Sequence, residues 1–288
     1  MTTLQGLFKN YSERLQELYP KQEAESLVFW LFEAYLEKKR LDILKNESLD
    51  KEPIALSQAL ENLMAGMPIQ YILGKGPFYG REFVVSPAVL IPRNETEELV
   101  HLIINENPKE GLYILDIGIG SGCIPVTLDL EMKKPAVFGI DISEEALVIA
   151  KKNADLLQSK VTFSQLDILK EDLPFENLDI IVSNPPYVRH SEKDLMHTNV
   201  LAYEPHLALF VYDEDPLLFY RIISQKSLKT LKSGGKLYFE INEAFGNETR
   251  QLMEDLGYEE VKIFEDLNGR QRMIRGIKGK SINIREIS

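Results

Sequence analysis

Up to about Ala65, the chain spaces its apolar residues as helices do. Leu4, Leu7, Phe8, Tyr11, Leu15 and Leu18 predict a first helix, and Pro20 suits the opening turn of a second. That second helix carries Leu27, Val28, Trp30, Leu31, Phe32, Tyr35 and Leu36 around most of its circumference, so it is expected at the centre of a bundle. A further helical pattern runs from Pro53 to Ala65 and is stopped by Gly66 and Pro68. Between Ile69 and Ile91 the texture changes. Gly74, Gly76 and Gly80 punctuate short apolar runs there, which predicts a β-hairpin linker.

From Asn94 onward strand and helix patterns alternate. Asn94 with Glu97 reads as a capping box for a helix through Leu99 and Ile103. Tyr113–Ile117 is a short buried strand, followed by a glycine turn and a helix from about Cys123. Residues 136–140 form the next strand, and Ser143 caps a helix reaching about Leu157. Strand-like runs follow at 161–164, 178–183, 236–241, 258–264 and 272–277, with helices around 216–231 and 244–256. Asn268-Gly269 makes the last two runs a hairpin. The alternation predicts an α/β domain with a doubly wound, mostly parallel, seven-stranded Rossmann-like sheet whose last strand is antiparallel. The expected organisation is a small helical bundle domain over 1–73, a hairpin linker over 74–92 and the α/β domain over 93–288. The tail 280–288 is given no element.

Composition narrows the function classes. Hydrophobic residues make up 44% of the 288, enough for a sizeable core. The lone Cys123 excludes an intramolecular disulfide framework, and four scattered histidines leave no recognisable metal site. No apolar run approaches the roughly 20 residues that span a bilayer, and the N-terminus lacks the layout of a signal peptide. The expectation is a soluble cytoplasmic protein with no membrane partner. A formal charge of −12 argues against direct nucleic-acid binding, which normally needs a basic patch.

Candidate chemistry begins at Gly118-Ile119-Gly120-Ser121-Gly122, between a strand and a helix. Glycines there allow positive φ and close approach of a ligand to the backbone. Asp141 ends the next strand, about twenty residues on, where a carboxylate can accept from both hydroxyls of a ribose. A nicotinamide-binding domain shares this layout, but its fingerprint places a third glycine where this chain has Cys123. S-adenosylmethionine, which has no pyrophosphate to cradle, is therefore favoured over NAD. Asp167 and Ile168 follow the third strand, where an acid can accept from the adenine amine and an apolar neighbour can cover the ring; a solvated loop is the equal alternative for Asp167.

Asn184-Pro185-Pro186-Tyr187 follows the apolar strand Leu178–Ser183, at the sheet edge where open α/β folds bind ligands. Two prolines stiffen the turn. The lone pair of an amide or aniline-like nitrogen is delocalised, so the nitrogen must be held in place to react. The Asn184 side-chain oxygen and the Pro185 carbonyl can accept its two N–H bonds, and the ring of Tyr187 can pack on its flat face. On that reading Asn184, Pro185 and Tyr187 are the catalytic candidates, Pro186 completes the substrate-binding turn, and the Tyr187 hydroxyl contributes little.

Flanking motifs carry a family resemblance. Pro68-Ile69-Gln70-Tyr71-Ile72, Val89-Leu90-Ile91-Pro92-Arg93-Asn94-Glu95-Thr96-Glu97, Tyr203-Glu204-Pro205 with Ala208-Leu209, and Asp266-Leu267 with Gly269-Arg270 and Arg272 stand in the order of a known pattern. With the glycine loop, Asp141 and Asn184–Tyr187, the chain resembles the HemK/PrmC family of peptide-chain release factor glutamine N5-methyltransferases. The resemblance implies that Gly118–Gly122, Asp141, Ile168 and Asn184 contact S-adenosylmethionine. It also implies that Asn184–Tyr187 receive the glutamine of the Gly-Gly-Gln loop of class 1 release factors. Arg93, Glu95 and Glu204 could touch ligand or only organise loops. Departures are Asn94 in place of proline, Phe210-Val211-Tyr212 after Ala208-Leu209, and Asn242-Glu243 after Glu240-Ile241. The rival readings are a methyltransferase for adenine N6 or guanine N2 in nucleic acid, and a non-enzymatic scaffold with the same fold.

Overall fold

The computed structural model describes residues 2–45, 47–196 and 198–279; the unassigned tail 280–288 lies outside them. Backbone contacts divide the chain into two units. One runs to Gly74 and takes in the short segment ending at Tyr203, and the other holds Lys75–Met196 and the chain from Glu204 onward.

The first unit contains helices Leu4–Leu15, Lys21–Leu36, Arg40–Leu44, Ile54–Met64 and Ile69–Leu73, with Thr198–Tyr203 added from later in the chain. Thr3 caps the first helix by accepting from the Gly6 amide at 3.1 Å. Tyr11, Leu15, Val28, Leu31, Phe32, Leu56, Leu60 and Leu63 form the core. The second helix buries one face rather than its whole circumference, because the helices 4–15 and 54–64 cover only one side. Trp30 on the other side is 39% exposed. Ile69–Leu73 is a helical turn where the glycine texture predicts hairpin. The Pro68 carbonyl receives the Tyr71 and Ile72 amides, Ile69 and Tyr71 are buried, and Gly74 ends the turn at φ +69°. Tyr203 Oη donates to the Ala65 carbonyl at 3.0 Å.

The second unit opens with a hairpin, Lys75–Phe78 paired antiparallel with Arg81–Val84. Its sheet strands are β1 (Tyr113–Ile117), β2 (Ala136–Asp141), β3 (Thr162–Gln165), β4 (Leu178–Ser183), β5 (Leu231–Glu240), β6 (Tyr258–Glu265) and β7 (Gln271–Lys278). Across the sheet the order is β6-β7-β5-β4-β1-β2-β3. β7 runs antiparallel to both its neighbours, and the pairings from β5 to β3 are parallel. Parallel strands covered on both faces are apolar runs. Ile114, Ile180, Val182 and Tyr238 face one helical layer, α1 (Asn94–Glu106), α2 (Cys123–Glu131) and α3 (Glu144–Leu157). Leu115, Ile117, Ile181, Leu237 and Phe239 face the other, α4 (Leu218–Thr230) and α5 (Gly246–Asp255).

Local signals hold at α3, where Ser143 Oγ accepts from the Ala146 amide at 3.1 Å. They fail at α1. Asn94 is already helical, Arg93 is the cap residue without a side-chain bond, and the Glu97 carboxylate accepts from the Tyr79 amide of the hairpin at 2.8 Å. A long-range partner takes the acid that a capping box needs.

Chain order reverses between β1 and β4. β1, β2 and β3 step outward to one edge, and β4 returns to the other side of β1. The loops leaving β1 and β4 diverge and open a crevice at their carboxyl ends. Asn153 on α3 organises the approach to it. Its Oδ1 accepts from the Val84 amide at 2.7 Å, and its Nδ2 donates to the Val84 carbonyl at 3.0 Å and to the Ser121 carbonyl at 2.9 Å. One buried side chain thus ties the hairpin to the glycine loop. Asn153→Ala strands three backbone groups and should destabilise the protein by about 2–4 kcal/mol. Urea unfolding checks this, and a loss below half a kcal/mol would show the three bonds to be replaceable by water.

Candidate active site

The crevice is a cleft of about 450 Å³ in the second unit. Its walls include Val89–Arg93, Gly118–Ser121, Asp141–Ser143, Leu166–Leu169, Ser183–Pro186 and Pro205 with Leu207 and Ala208. Three sequence-predicted segments therefore share one cavity: the glycine loop after β1, the acid ending β2, and the Asn-Pro-Pro turn after β4. Asp167 and Ile168, after β3, complete the wall.

Gly118 and Gly120 sit at φ +78° and +51°, and a Cβ at either would stand in open space. Gly122, predicted as a ligand contact, lies off the cleft wall. It has φ +78°, and a Cβ there would come within 3.0 Å of Ala150 Cβ, so this glycine serves the close packing of α2 on α3. Asp141 stands beneath the loop. Its Oδ2 accepts from the Gly120 amide at 3.0 Å and its Oδ1 from the Ser143 amide at 2.9 Å. Burial pushes its carboxyl up, and the amides of Ser143, Gly120 and Ile142 hold it down. The Asp167 carboxylate is committed locally, one oxygen to the Leu169 amide and the other to Lys170 at 3.0 Å.

Asn184 faces the cleft, and its Nδ2 donates to Thr96 Oγ1 at 3.2 Å. Pro185 and Pro186 line the wall beside it. Tyr187 lies off the wall and turns its hydroxyl inward to Glu240 Oε1 at 3.1 Å. Its ring packs against the buried cluster on the face of the sheet that carries Leu237 and Phe239. Burial first, then the Glu240 charge, push the Tyr187 hydroxyl well above its ordinary value. The departures from the family pattern are bracing residues. Asn242 Nδ2 donates to the Tyr187 carbonyl at 3.2 Å, and Asn242 Oδ1 accepts from the Ala244 amide at 3.0 Å. Phe210–Val211 pairs with Val188–Arg189, steadying the chain that leaves the turn.

Arg93 and Glu204 pair with each other. Glu204 is buried, and its second oxygen accepts from the Ile91 amide at 3.3 Å, so it braces the Val89–Arg93 wall. Thr96 and Glu240 were not anticipated as a pair, although Thr96 Oγ1 donates to Glu240 Oε2 at 2.6 Å. The available signal was a single acid closing the apolar run Leu237–Phe239. Among the described residues no group of acids, histidines or cysteine could hold a metal ion, and no helix is long and apolar enough to cross a membrane.

A parallel seven-stranded sheet with this strand reversal and one antiparallel strand, opening on a glycine loop and an Asn-Pro-Pro-Tyr turn, is the architecture of a Rossmann-like methyltransferase. A solved methyltransferase from Pyrococcus furiosus shares the fold at 17% identity and TM-score 0.53, covering 78% of this chain and 100% of that one. The methyltransferase small domain model matches residues 95–208, and the PrmC N-terminal domain model matches 7–74. The release factor glutamine methyltransferase of Flavobacterium psychrophilum is 45% identical over 93% of this chain and 98% of its own. That of Bacteroides thetaiotaomicron is 45% identical over 91% and 95%, and that of Streptococcus pneumoniae 39% over 94% and 97%. The chain belongs to the release factor glutamine methyltransferase family.

One group in the fold carries an electrostatic cost that can be measured. Asp116 on β1 is fully buried, and neither oxygen has a well-formed hydrogen bond. Burial, and then the Asp141 charge, push its carboxyl well up; the nearby Ile117 amide offsets only part. Above the ordinary carboxylate range the unfolded chain releases this proton while the folded chain keeps it. Wild-type stability is therefore lost as pH rises, by at most about 1.4 kcal/mol per pH unit, until the raised folded pKa is reached. Asp116→Asn should gain on wild type from acid to neutral pH in urea melts. A difference independent of pH would remove the proton linkage.

Proposed function

We propose that this protein transfers a methyl group from S-adenosylmethionine to the side-chain nitrogen of the glutamine in the Gly-Gly-Gln loop of class 1 release factors. The observation that supports this most is Asn184, whose NH2 is engaged by Thr96 while its side chain lines the same cleft as the glycine loop and Asp141. An amide so held has its oxygen left to accept an N–H. The family membership supports the choice of glutamine over a nucleobase, and the charge of −12 supports a protein partner without nucleic acid.

The residues suit the cofactor. Gly118 and Gly120 leave the wall open, Asp141 offers lone pairs not taken by Gly120 and Ser143, and Asp167 with Ile168 borders the same space. When bound, the cofactor supplies a methyl group made electrophilic by its sulfonium. The chain's part is to bind and orient the target. Asn184 Oδ1 and the Pro185 carbonyl accept the two amide N–H bonds and fix the nitrogen. The proline pair keeps those acceptors from drifting. Such positioning can supply roughly 7–11 kcal/mol. The nitrogen becomes strongly acidic on methylation, so its proton leaves to water and no strong base is needed. Tyr187 supports the turn through its ring and its bond to Glu240. Losing the hydroxyl therefore costs more than the ring-face reading implies.

The helical first unit serves recognition of the protein substrate. Leu41 and Leu44 are 70% and 72% exposed on the short helix Arg40–Leu44, apolar surface that its own unit leaves uncovered. Converting both leucines to serine should raise KM for full-length release factor several-fold and leave turnover of a short Gly-Gly-Gln peptide unchanged. An unchanged KM would remove this surface from recognition.

Binding and turnover should separate cleanly. Asp141→Ala should weaken S-adenosylmethionine binding by about 1–3 kcal/mol in calorimetry. Asn184→Ala should lose about a hundredfold or more in kcat. Mass spectrometry of the release factor should find one methyl, on the Gly-Gly-Gln glutamine. Methyl transfer to rRNA or DNA at a comparable rate would overturn the substrate, and NADH binding in place of S-adenosylmethionine would overturn the cofactor.

A further inference from the structure

An asparagine side chain can face a ligand with either end, and only one end suits a target that brings N–H bonds. Something must hold Asn184 the right way round. We infer that Glu240, acting through the Thr96 hydroxyl, fixes the Asn184 amide with its oxygen toward the cleft, and so makes the site an acceptor of N–H groups. This rests on the reading of Asn184 as the acceptor for the target amide.

The single proton of the Thr96 hydroxyl decides which way Asn184 faces. Thr96 Oγ1 lies 2.6 Å from Glu240 Oε2 and 3.2 Å from Asn184 Nδ2. With Glu240 ionised it can only accept, so the Thr96 proton points at Glu240. The Thr96 oxygen then offers Asn184 nothing but lone pairs, and Asn184 must present its NH2 to Thr96 and its carbonyl elsewhere. The second Glu240 oxygen is held in the same sense by the Tyr187 hydroxyl at 3.1 Å. Both ends of the catalytic turn are thus oriented by one carboxylate. Thr96 is 3% and Glu240 2% exposed, so water cannot substitute for either partner or reverse the chain.

The three elements come from far apart. Thr96 sits in the first turn of α1, Glu240 ends β5, and Asn184 and Tyr187 follow β4. Burial pushes the Glu240 carboxyl up, and the Thr96 and Tyr187 hydroxyls hold it down, as does Arg272 against the repulsion of Glu95. Keeping an acid in such a place is costly unless it does something a neutral residue cannot. Here that is to be an acceptor on both sides. Glu240 and Thr96 are positioning residues, since the target is held by Asn184.

Two readouts test this. In ¹⁵N-labelled protein the Asn184 side-chain amide signals are identified by their loss in Asn184→Ala. In wild type its protons should exchange slowly with water; in Thr96→Val they should exchange about tenfold faster or more, the anchor being gone. In methyl-transfer assays Thr96→Val should lose up to about a hundredfold in kcat, with KM for release factor and affinity for S-adenosylmethionine little changed. Thr96→Ser, which keeps the hydroxyl, should restore both. Glu240→Gln should give an intermediate loss, because its NH2 must face one of the two hydroxyls. Unchanged amide exchange in Thr96→Val, or wild-type behaviour of Glu240→Gln in both readouts, would overturn the inference. If Glu240→Gln fails to fold, the Thr96 pair decides alone. If wild type does not methylate release factor, the proposed substrate falls, while amide exchange still decides how Asn184 is held.

Discussion

The hydroxyl of Ser183 donates to the Ile117 carbonyl at 2.6 Å, just where β1 and β4 end. Below this bond the two strands are joined by regular parallel pairing; beyond it their chains turn to opposite faces. Everything that makes a site follows from that parting. The glycine loop and the Asn-Pro-Pro-Tyr turn are neighbours because their strands are, and separate because the order of strands reverses there. A cavity at this point needs no special carving. It needs only that the residues just past the strands do not fill it, which Gly118 and Gly120 ensure on one side and the stiff Pro185-Pro186 pair on the other.

Around that cavity the polar groups form two kinds of support. Asn153 and Glu204 hold backbone: one ties the hairpin to the glycine loop, the other ties the Val89–Arg93 wall to the chain before Pro205. Glu240 and Asp141 instead orient groups that face ligand. The distinction matters energetically. A buried amide with all its bonds made stabilises the fold, whereas a buried carboxylate roughly breaks even at best. Glu240 and Asp141 therefore stand where direction matters, at the carboxyl edge of the sheet, while Asn153 anchors backbone with every bond made and Glu204 does so with Arg93 as its partner.

Much of this was legible in the sequence because the relevant signals are local. β1 and β4 are apolar runs that start and stop where read, and Ser143 caps α3 from three residues away. The glycine loop, Asp141 and Asn184 could be placed at strand ends, and strand ends on one edge converge. What escaped was set by distant partners. Thr96 and Glu240 are 144 positions apart, so no window contains both. Glu97 reads as half of a capping box, but a hairpin amide claims it, and the size limit that Ala150 sets at Gly122 comes from a helix outside the glycine loop. Pro68 misled in the other direction, since a proline that ends one helix can equally begin the next turn.

The helix Thr198–Tyr203 belongs to the first unit although it lies beyond the first four strands of the second unit's main sheet. During synthesis the bundle emerges early and must wait for this last piece. At ribosomal speeds the gap between Gly74 and Tyr203 is on the order of ten seconds. The Ala65 carbonyl thus lacks its Tyr203 partner while β1 to β4 are being made. The nascent chain accordingly passes through a stage in which β1 to β4 exist, β5 to β7 do not, and the bundle still lacks its last helix.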